Sequence, residues 1–307
     1  MTTNRLWPGP LLAAAWAALL PNHTLAAQNS PSNVQSAYAG SETCKACHED
    51  IVNAFRKNPH YSVEAEAHGK WEGKACEACH GPGSKHAQTL SALDILNPAT
   101  ASPKRADEDC LKCHFNQRTQ IGRIRGSHVK NSVPCTACHS VHKGFNYLYP
   151  WKNPEVNQMC ASCHNNVWAA FQEPFTHKLA QGAMSCTDCH NPHGSFLPWQ
   201  IKTVSANEPN CYQCHSDLRG PFAFEHPPLK IQGCGACHEP HGSTNSRMLI
   251  RYNVAQVCLE CHANITLTSN LGGVPPAFHD LRSARFQNCT ICHQKIHGSH
   301  VDPIFER

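Results

Sequence analysis

A five-residue pattern, Cys-x-x-Cys-His, occurs ten times in this chain of 307 residues and uses all 20 of its cysteines. Two thiols three residues apart lie on one side of a helical turn, where they can form thioethers with the two vinyl groups of a haem. The histidine that follows is then placed under the iron as the proximal ligand. The pattern therefore predicts ten covalently bound c-type haems.

The predicted haem sites take two sets of residues from the motifs. The thioether cysteines are Cys44, Cys47, Cys76, Cys79, Cys110, Cys113, Cys135, Cys138, Cys160, Cys163, Cys186, Cys189, Cys211, Cys214, Cys234, Cys237, Cys258, Cys261, Cys289 and Cys292. The proximal ligands, here called motif histidines, are His48, His80, His114, His139, His164, His190, His215, His238, His262 and His293.

Paired cysteines have other readings in an exported protein: disulfides, zinc knuckles or redox-active thiol pairs. None of them requires a histidine directly after the second cysteine, and here it follows all ten times. Iron–sulfur clusters of the ferredoxin type use different cysteine spacings. Covalent haem attachment is the reading that explains every motif.

The second axial ligand must come from the remaining histidines. Of 23 in the chain, ten belong to motifs and His23 lies near the N-terminus, which leaves 12. A lone spare histidine is ordinarily a surface or core residue, but here there are enough for all ten irons. The predicted distal ligands are His60, His86, His128, His142, His177, His193, His226, His241, His279 and His297.

The spare histidines recur in a unit of two motifs. Each unit has a motif, a gap histidine, a second motif and a closing histidine, and the five units cover residues 44–86, 110–142, 160–193, 211–241 and 258–297. The cysteines that begin the last four units lie about fifty residues apart, which indicates a stacked array.

Each end of the chain offers one histidine too many. His60 lies about as far after its motif as the other gap histidines do, whereas His68 lies about as far before the next cysteine as they do. The distance from the preceding motif favours His60 as the ligand. At the far end, His297 rather than His300 begins the tripeptide His-Gly-Ser that also begins at His193 and His241.

The closing histidines predict ligand exchange between haems. His142 lies only three residues after the motif histidine His139, so it cannot reach the opposite face of the same haem. It must bind a neighbouring haem, and the same holds for His193 and His241. Such exchange would hold the array in one continuous arrangement.

Composition predicts a chain organised around haems rather than an apolar core. Only 40% of residues are hydrophobic, with 22 prolines and 18 glycines, below the usual apolar fraction of about 45–50%. We expect an elongated, mostly irregular multihaem cytochrome c array around ten stacked haems, with short helices over 49–57, 165–171 and 254–262. Two five-haem halves, 28–170 and 171–307, are a further expectation.

The N-terminus has the order of a secretory signal peptide: Arg5, an apolar run over 11–20, then small residues, with cleavage expected near Ala26 or Ala27. The run is shorter than the roughly 20 residues of a membrane span. No later segment is as apolar, so we expect a periplasmic protein without a transmembrane helix. Haem propionates would add about twenty negative charges to a formal charge of +4, so the charge does not indicate nucleic-acid binding.

Together these features resemble the periplasmic decahaem cytochromes of the MtrA/DmsE type. The resemblance rests on ten motifs in about 280 residues, on Cys-His-x-x-His at His142, His193 and His241, and on the closing stretch 289–299. The segment 76–86, CEACHGPGSKH, is shared by multihaem cytochromes more widely. The resemblance implies a wire inside an outer-membrane β-barrel porin, which carries electrons between periplasmic donors and an extracellular cytochrome or reductase.

Two other functions use the same haems. A free periplasmic electron shuttle would need the same signal peptide, and shape and partners would distinguish it from the conduit. A multihaem reductase needs an iron with an open position, whereas here all ten motifs are regular and the spare histidines suffice for every iron. We therefore expect an electron-transfer protein without a catalytic residue, and the direction of flow is not encoded in these patterns.

Overall fold

Short helices follow one another along the chain. The computed structural model describes residues 37–67, 69–142, 153–205, 208–262, 269–271, 277–279, 281 and 283–307. The α-helices in this part, numbered α1 to α11 in chain order, are Ser41–Lys45, Glu49–Phe55, Ala75–His80, Ser84–Thr89, Pro103–His114, Ser127–Lys130, Asn153–Ala161, Asn165–Ala170, Cys186–Cys189, Pro227–Ile231 and Val254–Leu259.

Short segments of 3-10 helix connect many of these elements. In the described residues they are Pro59–Ala65, Ala92–Asp94, Arg118–Gln120, Arg123–Arg125, Cys135–Ala137, Pro198–Gln200, Asn210–Gln213, Ser216–Leu218, Cys234–Ala236, Ser246–Met248, Ala284–Phe286 and Cys289–Ile291. Those at Cys135–Ala137, Asn210–Gln213, Cys234–Ala236 and Cys289–Ile291 contain the first cysteine of a motif.

The three predicted helices are confirmed as α2, α8 and α11, each ending one to three residues earlier than predicted. Helix α5, with 12 residues, was not predicted. Its start has a recognisable signal, because the Ser102 side chain accepts a hydrogen bond from the Arg105 N–H and Pro103 occupies the first helical position.

Extended structure is limited to short antiparallel pairs. Strand β1, Thr203–Ser205, pairs with β2, Glu208–Pro209, and β3, Ser269–Leu271, pairs with β4, Ala277–His279. Isolated bridges join Phe175 to Ser243 and Phe224 to Ser299. The bridges connect segments of different units, so they join the repeat along the chain.

The protein itself supplies little apolar core. The hydrophobic side chains that are buried in the described part are few and mostly small: Val52, Ala75, Ala106, Val156, Phe171, Leu179, Ala255 and Val257. A domain of this length normally buries far more of its apolar surface. The described part of the protein therefore has little apolar core of its own, as the low hydrophobic content predicts.

Buried polar side chains tie the two motifs of a unit together. Asp107, three residues before Cys110, accepts a hydrogen bond of 2.8 Å from the N–H of Cys135. Asn157, three residues before Cys160, accepts one of 2.9 Å from the N–H of Cys186. In units two and three, the side chain three residues before the first motif therefore holds the start of the second motif.

Residues 37–307 form one compact unit. Contacts cross position 170, where the halves were expected to meet: the Asn157 side chain donates 2.9 Å to the carbonyl of Met184. A division into two five-haem halves stays a prediction. In the described residues, none of the helices combines the length and apolar character that a bilayer span requires. The expected signal peptide lies outside the described residues.

Candidate functional site

Each motif forms the helical turn that the spacing predicts. The N–H of the motif histidine donates to the carbonyl of the first cysteine, at 2.9 Å for His139 and Cys135 and at 2.9 Å for His164 and Cys160. Because this turn places residues i and i+3 side by side, both thiols of a motif face the same way. The local geometry is that needed for two thioethers on one macrocycle.

In the part of the chain that the structure describes, the histidine rings form nine pairs, each joining a motif histidine to a predicted distal histidine. The distances between ring centroids in these pairs lie between 5.7 and 6.3 Å. The pairs, motif histidine first, are His48/His86, His80/His142, His114/His60, His139/His193, His164/His128, His190/His241, His215/His177, His238/His297 and His262/His226.

This separation fits two imidazoles on opposite faces of one metal ion. A bond from a metal to imidazole nitrogen is roughly 2 Å long, as for zinc, so two trans ligands place their ring centroids about 6 Å apart. In the described residues, no group of three or more histidine, cysteine or acidic side chains could hold a metal ion. Each pair could supply the two protein ligands of a haem iron.

Hydrogen bonds fix the tautomer of many of these histidines. Nδ1 lies 2.7 to 2.9 Å from a backbone carbonyl oxygen at His80, His86, His128, His177, His190 and His238. A carbonyl only accepts, so Nδ1 must donate its proton. The Nε2 lone pair is then free to bind a metal, which is the usual arrangement around metal-ligating histidine.

Burial favours the neutral imidazole that metal binding requires. It lowers the pKa of His142 below its usual value, and the paired His80 lowers it further. Burial is likewise the first cause and the paired motif histidine the second for the lowered pKa values of His60, His193, His226, His241 and His297.

The pairs cross between neighbouring units in both directions. His60, the gap histidine of unit one, lies against His114 of unit two, and His142, the closing histidine of unit two, lies against His80 of unit one. The junctions between units two and three, three and four, and four and five have the same two crossed pairs. Each junction therefore contains two histidine pairs that join the neighbouring units.

The ends of the chain differ from the junctions. His86 pairs with His48 inside unit one. At the other end, the backbone of His279 lies in β4, while its side chain is outside the described part. His60 and His297 lie in pairs, whereas His300 packs its ring 5.2 Å from that of Phe222, and His68 is outside the described residues.

The repeated His-Gly-Ser tripeptide docks one unit on the next. Gly242 has a φ of +152°, and a Cβ atom there would lie 2.0 Å from the carbonyl oxygen of Ala170. Its neighbour Ser243 exchanges two backbone hydrogen bonds with Phe175, of 2.9 and 3.1 Å. The backbone contact requires glycine, and it holds His241 in place beside His190.

Two left-handed turns position motif histidines, although their residue types do not predict such turns. Trp199 and Gln200 have φ near +57°, as Arg247 and Met248 do in the next unit. The carbonyls of Trp199 and Arg247 accept the Nδ1–H of His190 and His238. Turns of this type normally contain glycine, asparagine or aspartate, which are absent at these positions.

The cysteines of consecutive motifs lie near one another. Within each unit, the first cysteines of the two motifs lie close enough to shift the pKa of each other's thiol, as Cys44 and Cys76 do. Between units, burial raises the pKa of Cys79 to about 11, and the nearby Cys110 contributes to that shift. Cys138, Cys189 and Cys237 have the same relation to the motif that follows.

Known protein families account for most of this chain. A family described as the doubled CXXCH motif matches residues 128–168, 177–220 and 226–266, and each match begins at a gap histidine. A second family, cytochrome c554 and c-prime, matches residues 82–140.

A relative covers most of the length. The chain is 32% identical over 270 residues to the multiheme cytochrome MtrA of Shewanella baltica (strain OS185), across 85% of this chain and 78% of the relative. The motif turns, the histidine pairs and this similarity agree. The chain therefore belongs to the MtrA family of multihaem c-type cytochromes, whose task is electron transfer.

Proposed function

We propose that this chain binds ten c-type haems, each with two histidine ligands, and conducts electrons along them. The nine histidine pairs carry this proposal, because each brings one motif histidine and one spare histidine to the separation of trans axial ligands. Numbering the haems by motif, the tenth takes His293 and, by count, His279. No haem is then left with an open position for substrate, so none is catalytic.

Electrons would pass from each haem to the next in sequence order. The nearness of the cysteines supports this path, because the motifs that would hold consecutive haems have neighbouring thiols both within a unit and at the junctions. Exchanged ligands at each junction keep neighbouring haems at a fixed separation. Haems 1 and 10 take ligands from their own units, so the array ends there and meets its partners there.

The wire would work in the periplasm, as the crossing element of an outer-membrane conduit. The resemblance to MtrA/DmsE-type cytochromes supports this, as does the signal-peptide pattern of residues 1–27. A large β-barrel porin would surround the cytochrome and separate it from the hydrocarbon layer, which is about 30 Å thick. A periplasmic donor would reduce one end, and an extracellular cytochrome or reductase would oxidise the other.

Co-purification followed by vesicle transport tests the conduit. The chain is expressed with its natural outer-membrane proteins, solubilised and pulled down, and the complex is inserted into liposomes that enclose an electron acceptor. Reduction of the enclosed acceptor by an external impermeant donor is the expected result, and cytochrome added to preformed liposomes is the control. A chain that purifies without a barrel and transfers electrons only in solution would instead be a free periplasmic shuttle.

Carbon monoxide tests the absence of a catalytic haem. Ten irons with two histidines each should leave the spectrum of the reduced protein unchanged under carbon monoxide. Binding to one haem of the freshly isolated protein would point to a reductase.

A further inference from the structure

A buried carboxylate lies at the contact between the first two motifs. Glu77 stands between Cys76 and Cys79 and is 1% exposed. Its Oε1 accepts hydrogen bonds from the N–H groups of Ala39, at 2.8 Å, and Gly83, at 2.7 Å, while Oε2 accepts one of 3.0 Å from Gly40. Both oxygens act as acceptors, and three N–H donors around one carboxyl group favour its ionised form.

A second carboxylate lies close by. Oε2 of the half-buried Glu64 accepts hydrogen bonds from the Ser41 hydroxyl, at 2.8 Å, and from the N–H of Ala75, at 3.0 Å. In the described residues neither Glu64 nor Glu77 forms an ion pair, and the Lys74 ammonium lies over the ring of Tyr38 instead. The negative charge here is held by dipoles and is not neutralised by a cation.

Unit two shows the contrasting arrangement. Its buried acids next to motif three are Asp107, which forms an ion pair with Arg123, and Asp109, which forms ion pairs with Arg105 and Lys112. Glu77 also has no acidic counterpart at the same motif position in the other units, where Thr136, Thr187, Gly235 and Thr290 stand. Within the motifs of the described residues, Glu77 is therefore the buried acid without an ion pair; Asp302, beyond the last motif, is also held by backbone N–H groups without a cation.

The charge of Glu77 acts on both haem attachments. It lies within motif two, and it is near enough to Cys44 of motif one to raise the pKa of that thiol, behind the larger effects of the Cys76 hydrogen bond and of burial. A negative charge in a medium of low dielectric stabilises ferric over ferrous haem, because reduction adds an electron.

We infer that Glu77, with Glu64, sets the reduction potentials of haems 1 and 2 below those that the same histidine ligands would give alone. This rests on the haem assignment proposed above. The two glutamates touch no ligand of the iron. They act on its reduction potential through the electric field of their negative charge. Their effect is to make the N-terminal pair release electrons readily to the haems that follow.

Spectroelectrochemical titration of the full chain with Glu77→Gln tests the inference. The expected result is a shift of about two of the ten haems to higher potential, with the others unchanged. The matched control is Asp188→Asn in motif six, whose exposed carboxylate accepts a bond from the N–H of Ser185, and which should shift far less because water screens it. A titration curve equal to that of the wild type, a shift downwards, or an equal shift in the control overturns the inference.

Haem content separates this inference from the proposed function. A wild-type protein with fewer than ten low-spin haems would contradict the haem assignment, whatever the titration shows. If Glu77→Gln does not fold because its amide faces N–H donors, Glu64→Gln serves in its place, with a smaller shift in the same direction. An unshifted curve for a fully loaded Glu64→Gln protein then overturns the inference.

Discussion

His142 lies against His80, with ring centroids 5.8 Å apart and ring planes inclined by only 10°, although His139 is just three residues before it. The fold therefore pairs two histidines that are 62 residues apart in the sequence, whereas His139 and His142 belong to different pairs. This relation recurs at each junction in the described residues, and it decides which haem would lose a ligand when a closing histidine is removed.

His142→Ala should leave haem 2 five-coordinate and high-spin, while haem 4 keeps both ligands. One of ten haems would then bind carbon monoxide, and the change would be assigned by paramagnetic NMR or by a crystal structure. His300→Ala is the control, since His300 packs on Phe222 outside the nine pairs and its loss should leave all haems low-spin. A ligand lost from haem 4 would contradict the crossed pairing.

Gly242→Ala should destabilise the junction between units three and four. The added Cβ would lie 2.0 Å from the Ala170 carbonyl oxygen, and alanine strongly disfavours a φ of +152°. We expect a loss of more than about 1 kcal/mol in thermal unfolding, together with a weakened His241 ligand. Gly235→Ala is the matched control, because no atom lies within 4 Å of its Cβ position. Equal melting of the two variants would refute a steric role for Gly242.

Asn157→Ala should loosen the second motif of unit three. Asn157 is 1% exposed, accepts the N–H of Cys186 and donates to the carbonyl of Met184. Its removal leaves buried backbone groups without partners, at a penalty of about 1–3 kcal/mol. Chemical denaturation measures the change. The control is Asn165→Ala at an exposed position, which should change the free energy of unfolding by close to zero. A loss there as large as that of Asn157→Ala would contradict a role for the buried hydrogen bonds.

Arg247→Pro should raise the potential of haem 8. Proline fixes φ near −65°, so the Arg247 carbonyl can no longer accept the Nδ1–H of His238, and the imidazole becomes a weaker electron donor to the iron. Arg247→Asn, which tolerates left-handed backbone, should keep the wild-type potential. The two titration curves measure the difference, and identical curves would show that the turn has no electronic role.

The local structure of the motifs and three of the helices could be predicted from the sequence, but the pairing of distant histidines could not. The turn at Cys135 and the helices α2, α8 and α11 follow from short-range spacing and periodicity, and they are confirmed. The exclusion of His142 from its own haem also follows from spacing. Its partner His80 does not, because that choice depends on how whole units dock.

Other features lacked a sequence signal or had one that was not used. The left-handed turn at Trp199 contains none of the residues that favour it, so tertiary contacts must impose it. Helix α5 begins with the serine–proline pair of an ordinary helix, a signal from which it could have been predicted. The docking role of Gly242 could have been suspected from the repeated tripeptide, but its contact with Ala170 could not.

The most direct test of the ten-haem array is the number and ligation of its haems. Mass spectrometry of the purified full chain counts the haems, and near-infrared magnetic circular dichroism of the oxidised protein identifies their axial ligands. We predict ten haems per chain, all low-spin with two histidines. Fewer than ten haems, or a high-spin or methionine-ligated haem in the intact protein, would contradict the crossed array of histidine pairs.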